Sequence, residues 1–507
     1  MSKPIAPMDL AFLLTESADS PKHVGVLLSF AAPPGGAAGV VREAVAAYRV
    51  ATPSAPFDQV PELPKPGLPR WKKATLYDPD YHVQHLLLPP GSNHITLLKL
   101  VAELSEAVLD RNRPLFRVWF VEGLEDGAFA MIVKIHHAIV DGKTAMDRLC
   151  GSFGTKAGAE IGPPFFALDV PLHKPRPPKN VVAQILDLQS TTRKQTTALA
   201  SVSFGLLKKG VSRLLTGASS GSMPFIAPRT PMNEPLRAPR SFATMTLPLQ
   251  EMRAVGKAFD GTINDVAVAV FDEGAHRYLR QLGKDTKVPL VGMLPVSLRE
   301  PGDREATTKA SMIFAPLGAP SLLPAERMEQ VVKSIRSAKE DMRKMSKDAA
   351  LIYGLSIFGL GELSEATPVS RVSKAVANFI LSNVPGVAHP LYLAGAELEG
   401  MFPVSTMGAG IGLNATLASY NGSMDFGFVA NRMALPNLQD LAEHCAAAYA
   451  ELKAAAAARP AAQDTAGPVP AAAQRAPTKK AAIKRAPAKK KVAKKVSKKT
   501  RAKTAAA

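Results

Sequence analysis

The stretch GAFAMIVKIHHAIVDGKTAMDRLC, beginning at Gly127, constrains the fold more than any other part of the chain. GAFAMIVKI (127–135) is rich in Val, Ile, Met and Phe and reads as a buried strand. It ends on two adjacent histidines, His136 and His137. A turn containing Asp141 and Gly142 then reverses the chain, and KTAMDRLC begins a helix. A buried strand that runs through a polar turn into a helix requires a layered sheet-and-helix structure. It also holds the histidines on a rigid scaffold at a strand end, where side chains are well placed to meet a substrate.

The remaining sequence extends that pattern. HVGVLLSF (23–30), SFATMTLPL (241–249), VPLVGMLPVSL (288–298) and SMDFGFVANR (423–432) read as strands. LLKLVAELSEAVLD (97–110), INDVAVAVFDEGAHRYLRQLG (263–283), PAERMEQVVKSIRSAKEDMRKM (324–345) and NLQDLAEHCAAAYAELKAAAA (437–457) read as helices. A chain of 507 residues is too long for one core. The expected organisation is an α/β (α+β) protein with a domain over 1–180, a helical and Pro-rich crossover over 181–240, a second domain over 241–455, and a tail over 456–507.

Charge is unevenly placed. The net charge is +19, but residues 471–507 hold fourteen Lys or Arg and no acid, so the body is only mildly basic. The Ala/Lys/Pro tail has little apolar surface to bury and is expected to stay disordered. Two cysteines, Cys150 and Cys445, cannot build a disulfide framework, and Cys150 reads as core packing. The opening MSKPIAPMDLAFLLTE resembles neither a signal peptide nor an anchor, and no stretch approaches the roughly 18 apolar residues that span a bilayer. A cytoplasmic protein, soluble or peripheral, is expected.

An isolated histidine at a strand end is more often a structural residue than a catalyst. The joint pattern H-H-x-x-x-D-G is different, because a chance match in a chain this long is on the order of one in a thousand. A metal site needs a third protein ligand, and adjacent strand residues point to opposite faces, so no metal is expected. One histidine is then left to face the substrate, where a neutral imidazole can take a proton from a hydroxyl and return it to a leaving group. Asp141 need not complete a triad; pairing with an arginine elsewhere would let it hold the turn.

GASSG (217–221) matches a nucleophilic-serine pattern, yet lacks the preceding strand and following helix that such a serine requires. GAGIGL (408–413) lacks phosphate-loop spacing. What remains is single-step transfer assisted by one histidine, with no covalent enzyme intermediate.

The H-H-x-x-x-D-G motif resembles that of the coenzyme A-dependent acyltransferase superfamily, which includes chloramphenicol acetyltransferase and peptide-synthetase condensation domains. From about Pro7 to Leu452 the chain more closely resembles the bacterial wax ester synthase/acyl-CoA:diacylglycerol acyltransferases. The resemblance is carried in order by MDLAFLLTES, PKHVG, LDRNRPLFRVWFVEGL, RTPMN, GTINDVAVAV, LPVSLR, SNVPG and GLNATLASYNGSMDFGF. Phe116 stands where that family usually has Trp.

The resemblance implies two chloramphenicol acetyltransferase-like domains with a substrate tunnel between them. Acyl-CoA would serve as substrate, with no cofactor, and diacylglycerol or a long-chain alcohol would be the acceptor. It implies His137 as general base, His136 as support, Asp141 and Gly142 as turn residues, and Arg299 as a candidate partner for Asp141. Asn264 would lie near the reacting groups and Asp265 would be more structural; an ordinary helix N-terminus is the alternative for both. Glu16 would line the acyl pocket, or else be a surface residue.

Oily products imply contact with a membrane or lipid droplet. The basic amphipathic stretch 199–216 is a candidate for it, and a helix packed between domains is the alternative. The tail, 471–507, resembles those of histone-like proteins and is a candidate for binding nucleic acid or anionic lipid. The motif itself does not distinguish these acceptors from a sugar, polyketide or amine.

Overall fold

A computed structural model describes residues 3–33, 35–64, 67–168, 224–298, 310–365 and 374–459. Arg299, the 199–216 stretch, the 217–221 serine pattern, the 471–507 tail and most of the 181–240 crossover lie outside the described residues.

Two six-stranded sheets organise the molecule. The first runs β12 (Tyr392–Leu393), β13 (Ala396–Val404), β2 (His23–Phe30), β7 (Phe129–His136), β6 (Phe116–Leu124), β5 (Val83–Ser92). The second runs β10 (Ala310–Pro316), β9 (Val291–Ser297), β11 (Phe379–Pro385), β14 (Leu413–Tyr420), β15 (Ser423–Asn431), β8 (Arg240–Pro248). A small sheet of β1 (Lys3–Pro4), β4 (Arg70–Lys73) and β3 (Gln59–Glu62) stands apart from both.

Strand β7 is central in the first sheet, antiparallel to both β2 and β6, and all eight of its residues are buried. Burial on both faces explains why its sequence is a nearly continuous apolar run rather than an alternation. Its one charge, Lys134, donates through Nζ to the carbonyls of Leu104 and Ala107. These carbonyls end α4 (His94–Glu106), where a cation is favoured.

Five described helices precede β8: α1 (Pro7–Thr15), α2 (Ala37–Val50), α3 (Pro79–His82), α4 and α5 (Gly142–Gly151). In the second half, α6 (Leu249–Ala258), α7 (Ile263–Gln281), α8 (Pro324–Arg343) and α10 (Leu438–Ala457) share one apolar core with the second sheet, and α9 (Lys347–Glu365) contacts β10. Helix α7 begins where Thr262 and Asp265 form a reciprocal capping box.

The first sheet is not built from the first 180 residues alone. Strand β13 comes from the second half and pairs with β2, Met401 lying opposite Leu28. It covers a sheet edge that would otherwise expose unpaired backbone groups. A third core then joins the halves, with Leu27, Trp119 and Ile132 packed together with Phe242, Phe402 and Val429. Each fully buried side chain of this kind contributes about 1.5–3 kcal/mol. Phe116 is completely buried among Phe57, His82, Phe165 and Phe166, so the aromatic packing survives without a tryptophan at this position. Among the described residues, no helix is long and apolar enough to cross a membrane.

Candidate active site

The end of β7 is fixed by backbone hydrogen bonds before any side chain acts. His136 N–H donates to Leu115 (2.9 Å) and His137 N–H donates to the carbonyl of Lys22 (2.9 Å). Ile139 N–H then turns back to His136 (3.0 Å), and Asp141 caps α5 by accepting from Thr144 N–H at 2.8 Å. Gly142 is the first residue of α5 and does not occupy the left-handed region. A Cβ there would meet Val384 Cγ2 of β11 at 3.5 Å, an ordinary contact. Gly142 therefore marks where the second sheet meets the turn, rather than a bend that only glycine allows.

His136 is fully buried, and its ring faces a carboxylate. Nδ1 accepts from Ala138 N–H at 3.1 Å, which puts the proton of the neutral ring on Nε2. Nε2 lies 3.3 Å from Glu16 Oε1, and Arg111 Nη2 donates to Glu16 Oε2 at 2.9 Å. Lys22 N–H adds a bond to Oε1 at 3.2 Å. Burial alone would raise the Glu16 pKa, but His136, Arg111 and the Lys22 amide together hold it at about 2. The Glu16 side chain is 4% exposed, so it is not a surface residue. Its observed partners are Arg111, His136 and the Lys22 amide, and the chain Arg111–Glu16–His136 buttresses the histidine pair from behind.

His137 is half-buried, and its ring stacks on Phe12 of α1 with centroids 4.3 Å apart. Nδ1 is buried without a partner of hydrogen-bonding geometry, leaving the Nε2 side as the accessible edge. Burial pushes the His137 pKa down to about 4; its own backbone carbonyl opposes that shift, and His136 adds to it. At neutral pH this imidazole is therefore uncharged, with a lone pair available to accept a proton.

The second half of the chain also reaches these residues. Phe358 of α9 meets Phe12 edge-on at 5.3 Å. Glu362 of the same helix accepts from the buried Lys22 ammonium at 2.7 Å, and that ammonium also donates to Ser20 (2.9 Å). Lys22 thus holds His137 through its carbonyl and α9 through its side chain.

The structure separates the remaining candidates. Asp265 accepts from Thr262 N–H and from Thr262 Oγ1, both at 2.8 Å, which is a capping role. Asn264 lines a cavity beside Asn383 and Pro385 of β11, and His137 is not among the residues lining it. Among the described residues, no three His, Cys, Asp or Glu side chains form a metal-binding group.

Arg111, Lys22, Phe12, Phe358 and Glu362 escaped sequence reasoning. Arg111 lies 95 residues from Glu16, and Lys22 lies 340 residues from Glu362, so no local spacing could reveal either pair.

Comparison with known proteins matches these elements. Residues 5–267 match the family model for the wax ester synthase/diacylglycerol acyltransferase catalytic domain, and residues 308–453 match the model for its C-terminal domain. Over 484 residues the chain is 32% identical to a Mycobacterium tuberculosis protein provisionally named a diacylglycerol O-acyltransferase, covering 89% of this chain and 97% of that one. The solved wax ester synthase/diacylglycerol acyltransferase from Marinobacter aquaeolei VT8 is 29% identical and superposes with a TM-score of 0.72, covering 90% of this chain and all of that one. The first condensation domain of the calcium-dependent antibiotic synthetase shares the fold alone, at 14% identity and a TM-score of 0.56, covering 90% and 97%. With its two-domain condensation-like fold and matches to both family models, this chain belongs to the wax ester synthase/diacylglycerol acyltransferase family.

Proposed function

We propose that the protein moves a long-chain acyl group from acyl-CoA to the hydroxyl of diacylglycerol, of a fatty alcohol, or of both. The observation that carries this reading is the state of His137: uncharged, stacked on Phe12, its Nε2 edge open, and backed by a buried histidine–carboxylate pair that Arg111 holds from outside. The names of the relatives supply the acceptor classes.

In the proposed reaction the thioester carbonyl sits beside His137. The acceptor O–H gives its proton to Nε2 as its oxygen attacks, forming the C–O bond. The tetrahedral oxyanion is met by hydrogen-bond donors, with Asn264 as the assigned side chain. The C–S bond then breaks, the imidazolium protonates the departing thiolate, and ester and free CoA leave. His136 supports the ring beside it, and Asp141 holds the turn. The acyl acceptor would reach this point through a tunnel between the halves. The protein would work peripherally at the inner membrane or a lipid droplet, because its products are oils.

The test supplies purified protein with palmitoyl-CoA and, in parallel, dipalmitoylglycerol, hexadecanol or no acceptor. CoA thiol release and labelled ester are both followed. Acceptor-dependent release with matching ester is expected. Release that ignores both lipids and appears only with a sugar, polyketide or amine would replace the acceptor assignment.

A further inference from the structure

Helix α9 packs with the second half of the chain, yet its far end reaches the first. The run from Ala349 to Gly361 carries no charge and includes Gly354, Gly359 and Gly361. Ser311 of β10 donates to the Ala350 carbonyl at 2.8 Å, which fixes the first turn of the helix. Beyond that turn, Tyr353 and Ile357 pack with Val291, Met293 and Phe314 of β9 and β10. Apolar contacts are non-directional, so they bury the helix without fixing where its far end stops. Glu362 is the first charge after that run.

Two side chains of α9, one helical turn apart, meet the histidine turn by separate routes. Phe358 meets Phe12 edge-on, and Phe12 stacks on the His137 ring. Glu362 accepts from Lys22 Nζ at 2.7 Å, and the Lys22 carbonyl accepts from His137 N–H at 2.9 Å. The routes also touch each other, because Lys22 Nζ lies 5.7 Å from the centroid of the Phe358 ring. The Lys22 side chain is 1% exposed and that of Glu362 17%, so water screens the pair little. Burying both charges costs desolvation, and the cost is offset only where ammonium and carboxylate coincide. Such a pair therefore specifies one register of α9 against the histidine turn.

We infer that Lys22 and Glu362 are positioning residues for His137: their buried ion pair sets where α9 stops, and so how Phe358 presses Phe12 against the reacting ring. Three polar groups of Lys22 go to three places. Its N–H bonds Glu16, its carbonyl holds His137, and its ammonium holds Glu362. The histidine pair and α9 are thus referred to one residue. The inference rests on the acyltransferase reading for what His137 does, though not for where it is held.

Slackening α9 would admit water beside the His137 ring. The titratable groups of the elements around that ring are His136, Asp141, Glu16, Lys22 and Glu362. Burial is the main reason its pKa lies at about 4, so hydration moves it up toward the ordinary value of about 6.5. The uncharged ring is the base, and the acid limb of activity moves up with it.

The experiment compares the parent with Glu362→Gln, Lys22→Met and the double variant Lys22→Met/Glu362→Leu in the full chain. Denaturant melts come first. Each single variant leaves a buried partner unmatched and is expected to lose stability, whereas the double removes both charges and recovers it. Turnover of palmitoyl-CoA with a lipid acceptor is one readout. In all three variants kcat should fall about tenfold or more, with KM within about twofold, as for a misplaced catalytic group. The second readout is modification of His137 by diethyl pyrocarbonate, followed by peptide mass spectrometry from about pH 4 to 8. It needs only an uncharged, reachable imidazole and no turnover. The variants should react faster, with a midpoint at higher pH than the parent's.

A double variant that recovers the parent's kcat and midpoint along with its stability would make the pair a stability element and overturn the assignment. If no acceptor turns over, a raised midpoint in the variants leaves the positioning role standing and removes the acyltransferase reading. Normal turnover with parental midpoints in every folded variant would do the reverse.

Discussion

Each half of the molecule brings a histidine, a carboxylate and an arginine together, and the two groups differ in what surrounds them. In the first half, Glu16 accepts from Arg111 and faces His136, and its carboxyl is held at about 2. In the second half, Asp272 pairs with Arg327 and accepts from Gly318 N–H at 3.1 Å, yet burial pushes its carboxyl up to about 7 despite the guanidinium. His276 lies one helical turn further along α7, its Nε2 3.6 Å from Asp272 and both ring nitrogens without a hydrogen-bond partner.

The contrast lies in exits. The first group ends at a strand terminus, where His137 presents an accessible edge. The second is enclosed between α7 and α8, and its members are 0–2% exposed. Residue types alone therefore do not make a site; a strand end that opens one ring to a substrate does. The second group is a buried staple between α7 and α8.

Removing the open ring should produce the largest effect. His137→Ala is expected to lose about 10²–10⁴-fold in kcat, the usual contribution of a general base, with little change in thermal midpoint. Single-turnover rates beside melting curves check both parts. Full activity in a folded variant would remove His137 from the chemistry and with it the distinction drawn between the two groups. Glu16→Gln should cost less, about 10–100-fold, as for other residues that orient a functional histidine. A loss in stability alone would make the first group a staple like the second.

Much of this architecture was legible because its signals are local. HVGVLLSF coincides with β2, and the apolar spacing of 263–283 predicted α7 to within two residues. The histidine motif marked the turn from seven residues. What was not legible is set by distant pairing. Strand β5 contains Pro89 and Pro90, residues that disfavour a strand interior, and its register against β6 is broken between Leu87 and Ser92. Strand β13 has no local signal that sends it to the first sheet. Glu16 was visible as a candidate only through family resemblance, since its value depends on Arg111 and His136, which the fold alone brings together.

The second group should respond in stability, not in rate. Arg327→Met leaves Asp272 buried without its cation, and breaking such a pair typically costs about 3–5 kcal/mol. Denaturant melts should register that loss, while the rate per folded molecule stays near the parent's. A large fall in kcat in a fully folded variant would mean that the buried group communicates with His137 after all.

The smallest effect separates two neighbours on α7. Asp265 is committed to Thr262 through the capping box, whereas Asn264 faces the cavity. Asp265→Ala should therefore cost about 0.5–2 kcal/mol, the range of a lost helix cap, and leave kcat unchanged. Asn264→Ala should leave stability nearly unchanged and lower kcat, if its amide meets the oxyanion as proposed. Measured together, the two variants test whether adjacent residues at one helix start divide the labour, one ending the helix and the other meeting substrate. Equal losses of stability with no loss of rate would return both to an ordinary helix N-terminus and leave the oxyanion to donors other than Asn264.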